Sequence, residues 1–121
     1  MIKAVKFVAA YVNDQDRALA FYTQKLGFTV ATDQPMGPDA RWIELRIPGA
    51  ETALVVVKPM MPEHHVGGFM NMAFVADDVQ KTYEELSARG VEFTQPPRTE
   101  SWGTGAVFKD PDGNLFALSS K

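Results

Sequence analysis

YVNDQDRALAFYTQKLGFTV, residues 11–30, lies over FVADDVQKTYEELSARGVEF, residues 74–93, and reading the two together decides the fold. At an offset of 63 positions Val12 meets Val75, Asp14 meets Asp77 and Gly27 meets Gly90. The shared order says more than these identities: apolar strand, acidic helix cap, amphipathic helix, glycine stop, second strand. A fixed order of elements recurring once along a chain is the mark of a duplicated unit.

In the first copy, a helix over residues 14–26 puts Ala18, Phe21, Tyr22 and Leu26 on one face and turns Arg17, Gln24 and Lys25 to water. Asp14 serves as its N-cap, and Gly27 can take the left-handed conformation that ends it. The second helix, residues 78–89, repeats the pattern with Val79, Tyr83 and Leu86, stopped by Gly90. Strands are expected over residues 4–12, 28–32, 41–47, 53–58, 70–76, 91–94, 105–109 and 114–119. Pro and Gly punctuate the chain at 34–39, 48–49, 95–98 and 110–113, the last a hairpin turn signal. The reading is an α+β fold of two tandem βαβββ modules within one domain. Residues 1–58 form the first module, 59–69 a linker and 70–121 the second. One helix leaves one sheet face bare, so the modules are expected to share a core or a cleft.

The composition limits function. With 45% hydrophobic and 22% charged residues, a chain of 121 suits one ordinary globular domain. The net charge of −3 offers no basic stripe for a nucleic-acid backbone. The longest apolar stretches, residues 4–12 and 53–57, fall short of the ~20 needed to cross a membrane, and neither reads as a signal peptide. No cysteine is present, which excludes disulfides, thiolate nucleophiles and Cys-ligated metals. A cytoplasmic location is expected.

The two helix-bearing stretches, followed by WGTGAVFKDPDGNLFALSS at residues 102–120, resemble the glyoxalase/bleomycin-resistance/extradiol-dioxygenase superfamily over nearly the whole chain. The resemblance implies curved sheets forming a cleft, usually in a homodimer. In metal-dependent members it further implies four cleft-facing ligands, His or Gln and Glu from the first half, His and Glu from the second. Those positions fall here on Phe7, near Val56, on Asn71 and on Ala117. Phe, Val and Ala offer a metal no lone pair and Asn only a neutral amide oxygen. The resemblance therefore points to a metal-free branch, without a cofactor, that holds an apolar or aromatic compound.

Several residues are candidates beside those four. Trp42, Glu44 and Arg46 alternate with Ile43, Leu45 and Ile47 on the third strand. Trp42 could stack on a ligand ring with Glu44 as polar anchor; the alternative is an exposed face with a Glu44–Arg46 pair. Trp102, followed by two permissive glycines in SWGTG, reads as a lid on a mobile loop or as a packing residue. His64 and His65 are adjacent, so in an extended chain they point to opposite sides, and a metal site with Glu63 or Glu44 is awkward. Met60, Met61, Met70 and Met72 read as filler or as an adaptable wall. The DPDGN segment lacks a full EF-hand loop, and no phosphate-binding fingerprint is present. The expected function is binding of a small, largely apolar or aromatic molecule by Phe7, Trp42, Glu44, Val56, Asn71, Trp102 and Ala117. The rivals are an enzyme, a lyase, isomerase or dioxygenase with an unorthodox metal site, and a non-catalytic interaction module.

Overall fold

A computed structural model describes residues 1–121. The chain divides into two compact units, residues 1–66 and 67–121. The first holds β1 (Phe7–Tyr11), α1 (Gln15–Ala20) running into a π-turn (Phe21–Lys25), β2 (Thr29–Pro35), β3 (Arg41–Arg46) and β4 (Ala53–Val57). The second holds β5 (Gly68–Val75), α2 (Val79–Ala88), β6 (Glu92–Glu100), β7 (Gly103–Lys109) and β8 (Asn114–Ser119). The sheets have matching orders, β1-β4-β3-β2 and β5-β8-β7-β6, with one parallel pair each, β1 with β4 and β5 with β8. Both units are therefore βαβββ modules, and no helix is long and apolar enough to cross a membrane.

Each helix is capped as its sequence dictates. The Asp14 carboxylate accepts from the Arg17 amide at 2.9 Å and that of Asp78 from the Lys81 amide at 3.0 Å. Gly27 and Gly90 end the helices at φ 79° and 90°, a left-handed backbone that costs a side chain dearly. The caps correct the alignment of the halves. Asp78, not Asp77, is the counterpart of Asp14, so thirteen positions separate cap from glycine in the first half and twelve in the second. The π-turn holds the extra residue. Its wider bond runs from the Leu26 amide to the Phe21 carbonyl at 3.3 Å, and the Thr23 hydroxyl donates to the Leu19 carbonyl at 2.7 Å, an acceptor the α-helical ladder would otherwise use.

The expected buried faces are the observed ones. Ala18, Phe21 and Tyr22 pack with Ala10, Val12, Ile43, Leu45, Leu54 and Val56 beneath the first helix, all buried. In the second unit an aromatic chain runs from Tyr83 on α2 to Phe93 (4.7 Å), then to Phe108 (5.8 Å) and on to Phe116 (5.6 Å) and Phe74. Gln15 ties α1 to the first sheet: its amide donates to the Arg41 carbonyl at 2.6 Å and the Val56 carbonyl at 3.1 Å, and accepts from the Arg41 amide at 3.0 Å.

Strand limits differ where bulges intervene. Residues 95–98, expected as a loop from their prolines, lie inside β6, and the ladder slips between Phe93 and Gln95 and again between Gln95 and Arg98. A proline has no N–H to give a ladder, and a bulge is where none is demanded. β5 carries a second irregularity between Phe69 and Ala73, where Asn71 takes φ 56°. β2 reaches Pro35, and β1 begins only at Phe7.

The DPDGN turn is a structural clamp. Asp110, buried, accepts through Oδ1 from the amides of Asp112 (2.9 Å) and Asn114 (2.8 Å), and through Oδ2 from the Asn114 side-chain NH2 at 2.8 Å. Asn114 then accepts from the Gly67 amide at 2.9 Å, which fixes the start of β5 beside the β7–β8 turn.

Candidate functional site

Register decides which side chains the helices leave uncovered. In the second sheet Val107 stands opposite Ala117, Gly105 opposite Ser119, and Ala73 beside Ala117, all on the face away from α2. Phe108, Phe116 and Leu118 occupy the other face, within the core. On the open face lies a hollow of about 430 Å³, contained within this unit. Its floor is small and flat, made of Ala73, Gly105, Val107 and Ala117, and β6 supplies a polar side with Gln95, Arg98 and Glu100. Arg98 and Glu100 are joined by an ion pair at 2.8 Å.

Trp102 stands at one end of the hollow. Its connection is short: Glu100 pairs with Gly103, so Ser101 and Trp102 form a two-residue turn between β6 and β7. The turn is held further by Thr104, whose amide donates to the Ser120 hydroxyl at 3.0 Å and whose carbonyl accepts from the Ser120 amide at 2.9 Å. The indole is 63% exposed and rests against Gly105. Such a wall beside a floor of small side chains has the shape for a flat ring, with dispersion below and stacking at the side.

The first sheet gathers another part of the expected set. Phe7 and Trp42 meet edge to face at 5.5 Å, and Glu44, opposite Val55, shares their side of the sheet. Tyr11 stacks on His64 at 4.1 Å, and the Met60 amide donates to His64 Nδ1 at 3.0 Å, which leaves Nε2 to carry the proton of the neutral ring. His64 is thus anchored rather than free in a loop, while His65 is exposed. Nearby, Arg41 is bound by Asp33 at 3.0 Å and Asp16 at 2.6 Å, contacts that hold its pKa above its already high ordinary value, the hydrogen bond to Asp33 contributing most.

Two expected residues are placed elsewhere. Val56 pairs with Ile43 on the helix side of the first sheet; the residue on the opposite face is its neighbour Val55, which pairs with Glu44 and is buried as well. The physical reason is the period of two, in which a slip of one position changes the face. Asn71 is exposed in the β5 irregularity and is not part of the hollow. Of the seven residues, then, Trp102 and Ala117 line the hollow, while Phe7, Trp42 and Glu44 sit together on the first sheet. Missed were Gln95, Arg98 and Glu100, hidden because their prolines read as loop; the signal available was their alternation either side of the bulge.

A divalent ion is tested by the donors at the implied positions. Register makes Ala117 the counterpart of Val55, each next to an alanine of the parallel neighbour, Ala73 and Ala9. Phe7, beside Ala53, finds its counterpart in Phe69, beside Leu115. None of these side chains can donate to a metal, and whether Val55 or Val56, Phe69 or Asn71 is taken, at most one neutral amide oxygen is available. No three His, Asp or Glu side chains cluster closely enough to hold an ion. The residues do not fit the group.

Known proteins agree with the architecture. A Sphaerobacter thermophilus protein of the glyoxalase/bleomycin resistance protein/dioxygenase superfamily superposes with a TM-score of 0.90 at 33% identity, covering 99% of this chain and 98% of its own. TnmS3, an antibiotic binding protein from Streptomyces sp. CB03234, superposes with a TM-score of 0.83 at 36% identity, covering 98% and 96%. The uncharacterized protein YetH of Bacillus subtilis (strain 168) is 44% identical over 118 residues, 98% of each chain. Residues 4–118 match the family description Glyoxalase/Bleomycin resistance protein/Dioxygenase superfamily. Duplicated βαβββ modules, the cap-and-glycine helices and these likenesses together place the chain in that superfamily.

Proposed function

We propose that this protein binds a small, flat, largely aromatic molecule and does so without the divalent ion of its metal-dependent relatives. The observation that carries the reading is the hollow on the second sheet: a floor reduced to Ala73, Gly105, Val107 and Ala117, with Trp102 lining it from the β6–β7 turn. Large side chains at these positions would fill the space, and donors at Ala117 would suit a metal; neither is present. The polar side from Gln95, Arg98 and Glu100 gives a bound ring a direction. Phe7, Trp42 and Glu44 on the first sheet offer a further aromatic surface with one carboxylate. The description of TnmS3 as an antibiotic binding protein supports a small-molecule ligand for this chain. A cytoplasmic homodimer belongs to the proposal and is checked by light scattering.

The test is a fluorescence titration of the unaltered protein and, beside it, of Trp42→Phe, in which Trp102 is the remaining tryptophan, with 9-aminoacridine as a flat cation and 2-naphthoate as a flat anion. Saturable quenching by at least one probe is expected, abolished by Ala117→Leu, which fills the floor. Absence of saturable quenching at millimolar probe, or binding unaffected by Ala117→Leu, would overturn the reading. So would stoichiometric divalent metal retained through dialysis.

A further inference from the structure

The contact between Trp102 and Gly105 deepens that reading, on which it rests. A Cβ built on Gly105 would stand 2.8 Å from indole Cη2, while its next neighbour, the Leu118 carbonyl oxygen, lies at an ordinary 3.6 Å. Gly105 is not in the left-handed region, so its backbone makes no demand for glycine. What an added side chain would meet is the indole. Opposite Ser119 and next along the face to Val107, Gly105 sits in the floor, and its missing side chain lets the six-membered edge of Trp102 rest on β7. The turn that carries Trp102 is pinned through Gly103, Thr104 and Ser120, where a Cβ on Gly103 would run into the Ser120 hydroxyl. The backbone is therefore held from below, and the seat of the ring is set by its contact with Gly105.

We propose that Gly105 is a positioning residue, and that it sets ligand affinity and the length of ring system accepted by seating Trp102 as the end wall of the hollow. It need not touch the ligand itself. An added methyl would push the indole back by at least about 0.6 Å to reach ordinary contact, tilting the wall away from a ring lying over Val107 and Ala117.

A double-mutant cycle separates this from a direct role in the floor. The affinities of 9-aminoacridine and 2-naphthoate are measured by probe fluorescence for the unaltered protein, Gly105→Ala, Trp102→Ala and the double variant. Far-UV circular dichroism checks that each is folded. Gly105→Ala is expected to weaken binding about threefold to tenfold, the size of a lost aromatic contact. In the Trp102→Ala background the same change is expected to alter binding by less than about twofold, and Trp102→Phe combined with Gly105→Ala should recover part of the loss. Equal losses with and without the indole would overturn the proposal, because Gly105 would then act by itself. If the unaltered protein binds neither probe, the binding reading fails separately, and the seat of Trp102 is still judged by its emission in Trp42→Phe chains with and without Gly105→Ala. A red shift and easier acrylamide quenching in Gly105→Ala support the seat; an unchanged spectrum refutes it.

Discussion

Replacing Asp110 by Asn exchanges one oxygen for an NH2 group of nearly the same size, yet the structure implies a loss of about 2–4 kcal/mol in folding stability. The hydrogen bonds around this residue run in one direction. Asp110 Oδ2 accepts from the Asn114 NH2, and Asn114 Oδ1 accepts from the Gly67 amide. Asp110 Oδ1 is occupied by two amides, so in Asp110→Asn the new NH2 must take the place of Oδ2 and face the Asn114 NH2. Turning the Asn114 amide over relieves that clash but presents its NH2 to the Gly67 N–H. One donor–donor contact remains whichever way the amide lies, in a site where both side chains are almost wholly buried. Leaving a buried donor unmatched costs about 1–3 kcal/mol, and changing charged acceptor bonds to neutral ones removes about 1 kcal/mol more. Urea unfolding followed by circular dichroism gives the answer as a lower midpoint at unchanged slope. An unfolding free energy within about 0.5 kcal/mol of the parent would refute the reasoning, since a relay that reverses freely is not a relay.

Gln15→Leu should cost about 2–3 kcal/mol by the same assay, because the apolar replacement fills the volume but strands the Arg41 amide and two carbonyls that the Gln15 amide now meets. Arg41→Gln should cost about 1 kcal/mol or less, and less still in molar salt, because Asp16 is mostly solvent-exposed and the pairs lie at the surface. A larger effect that ignores salt would show that Arg41 works through packing instead.

The sequence was readable wherever one interaction decided the outcome. The helix faces with Ala18, Phe21 and Tyr22, or with Val79 and Leu86, follow from periodicity because burial rewards nothing else. Ile43 and Leu45 go to the core and Trp42 and Glu44 to the other side for the same reason. Readability failed where a residue count and a conformation trade against each other. The bulges of β6 hide Gln95 and Arg98 inside what looks like a proline loop, and with them the polar side of the hollow. The position near Val56 carries a residue of slack because loop lengths ahead of β4 do not reveal its register, which is set by pairing with Ile43. The short turn beneath Trp102 is likewise a matter of pairing, here between Glu100 and Gly103, which two glycines near a tryptophan do not disclose.

The π-turn in the first helix works as a phase correction. One added residue in an ideal α-helix would swing every later side chain by about 100°, carrying the end of the helix off its apolar stripe. Widening a single turn absorbs the addition, so that Phe21 and Tyr22 stay buried and the glycine still arrives where the chain must turn back towards β2. Two halves of unequal count thereby keep equal sheets. A duplicated gene can let its copies drift in length at such a place, with the difference taken up in the winding of one helix and none of it passed to the strands.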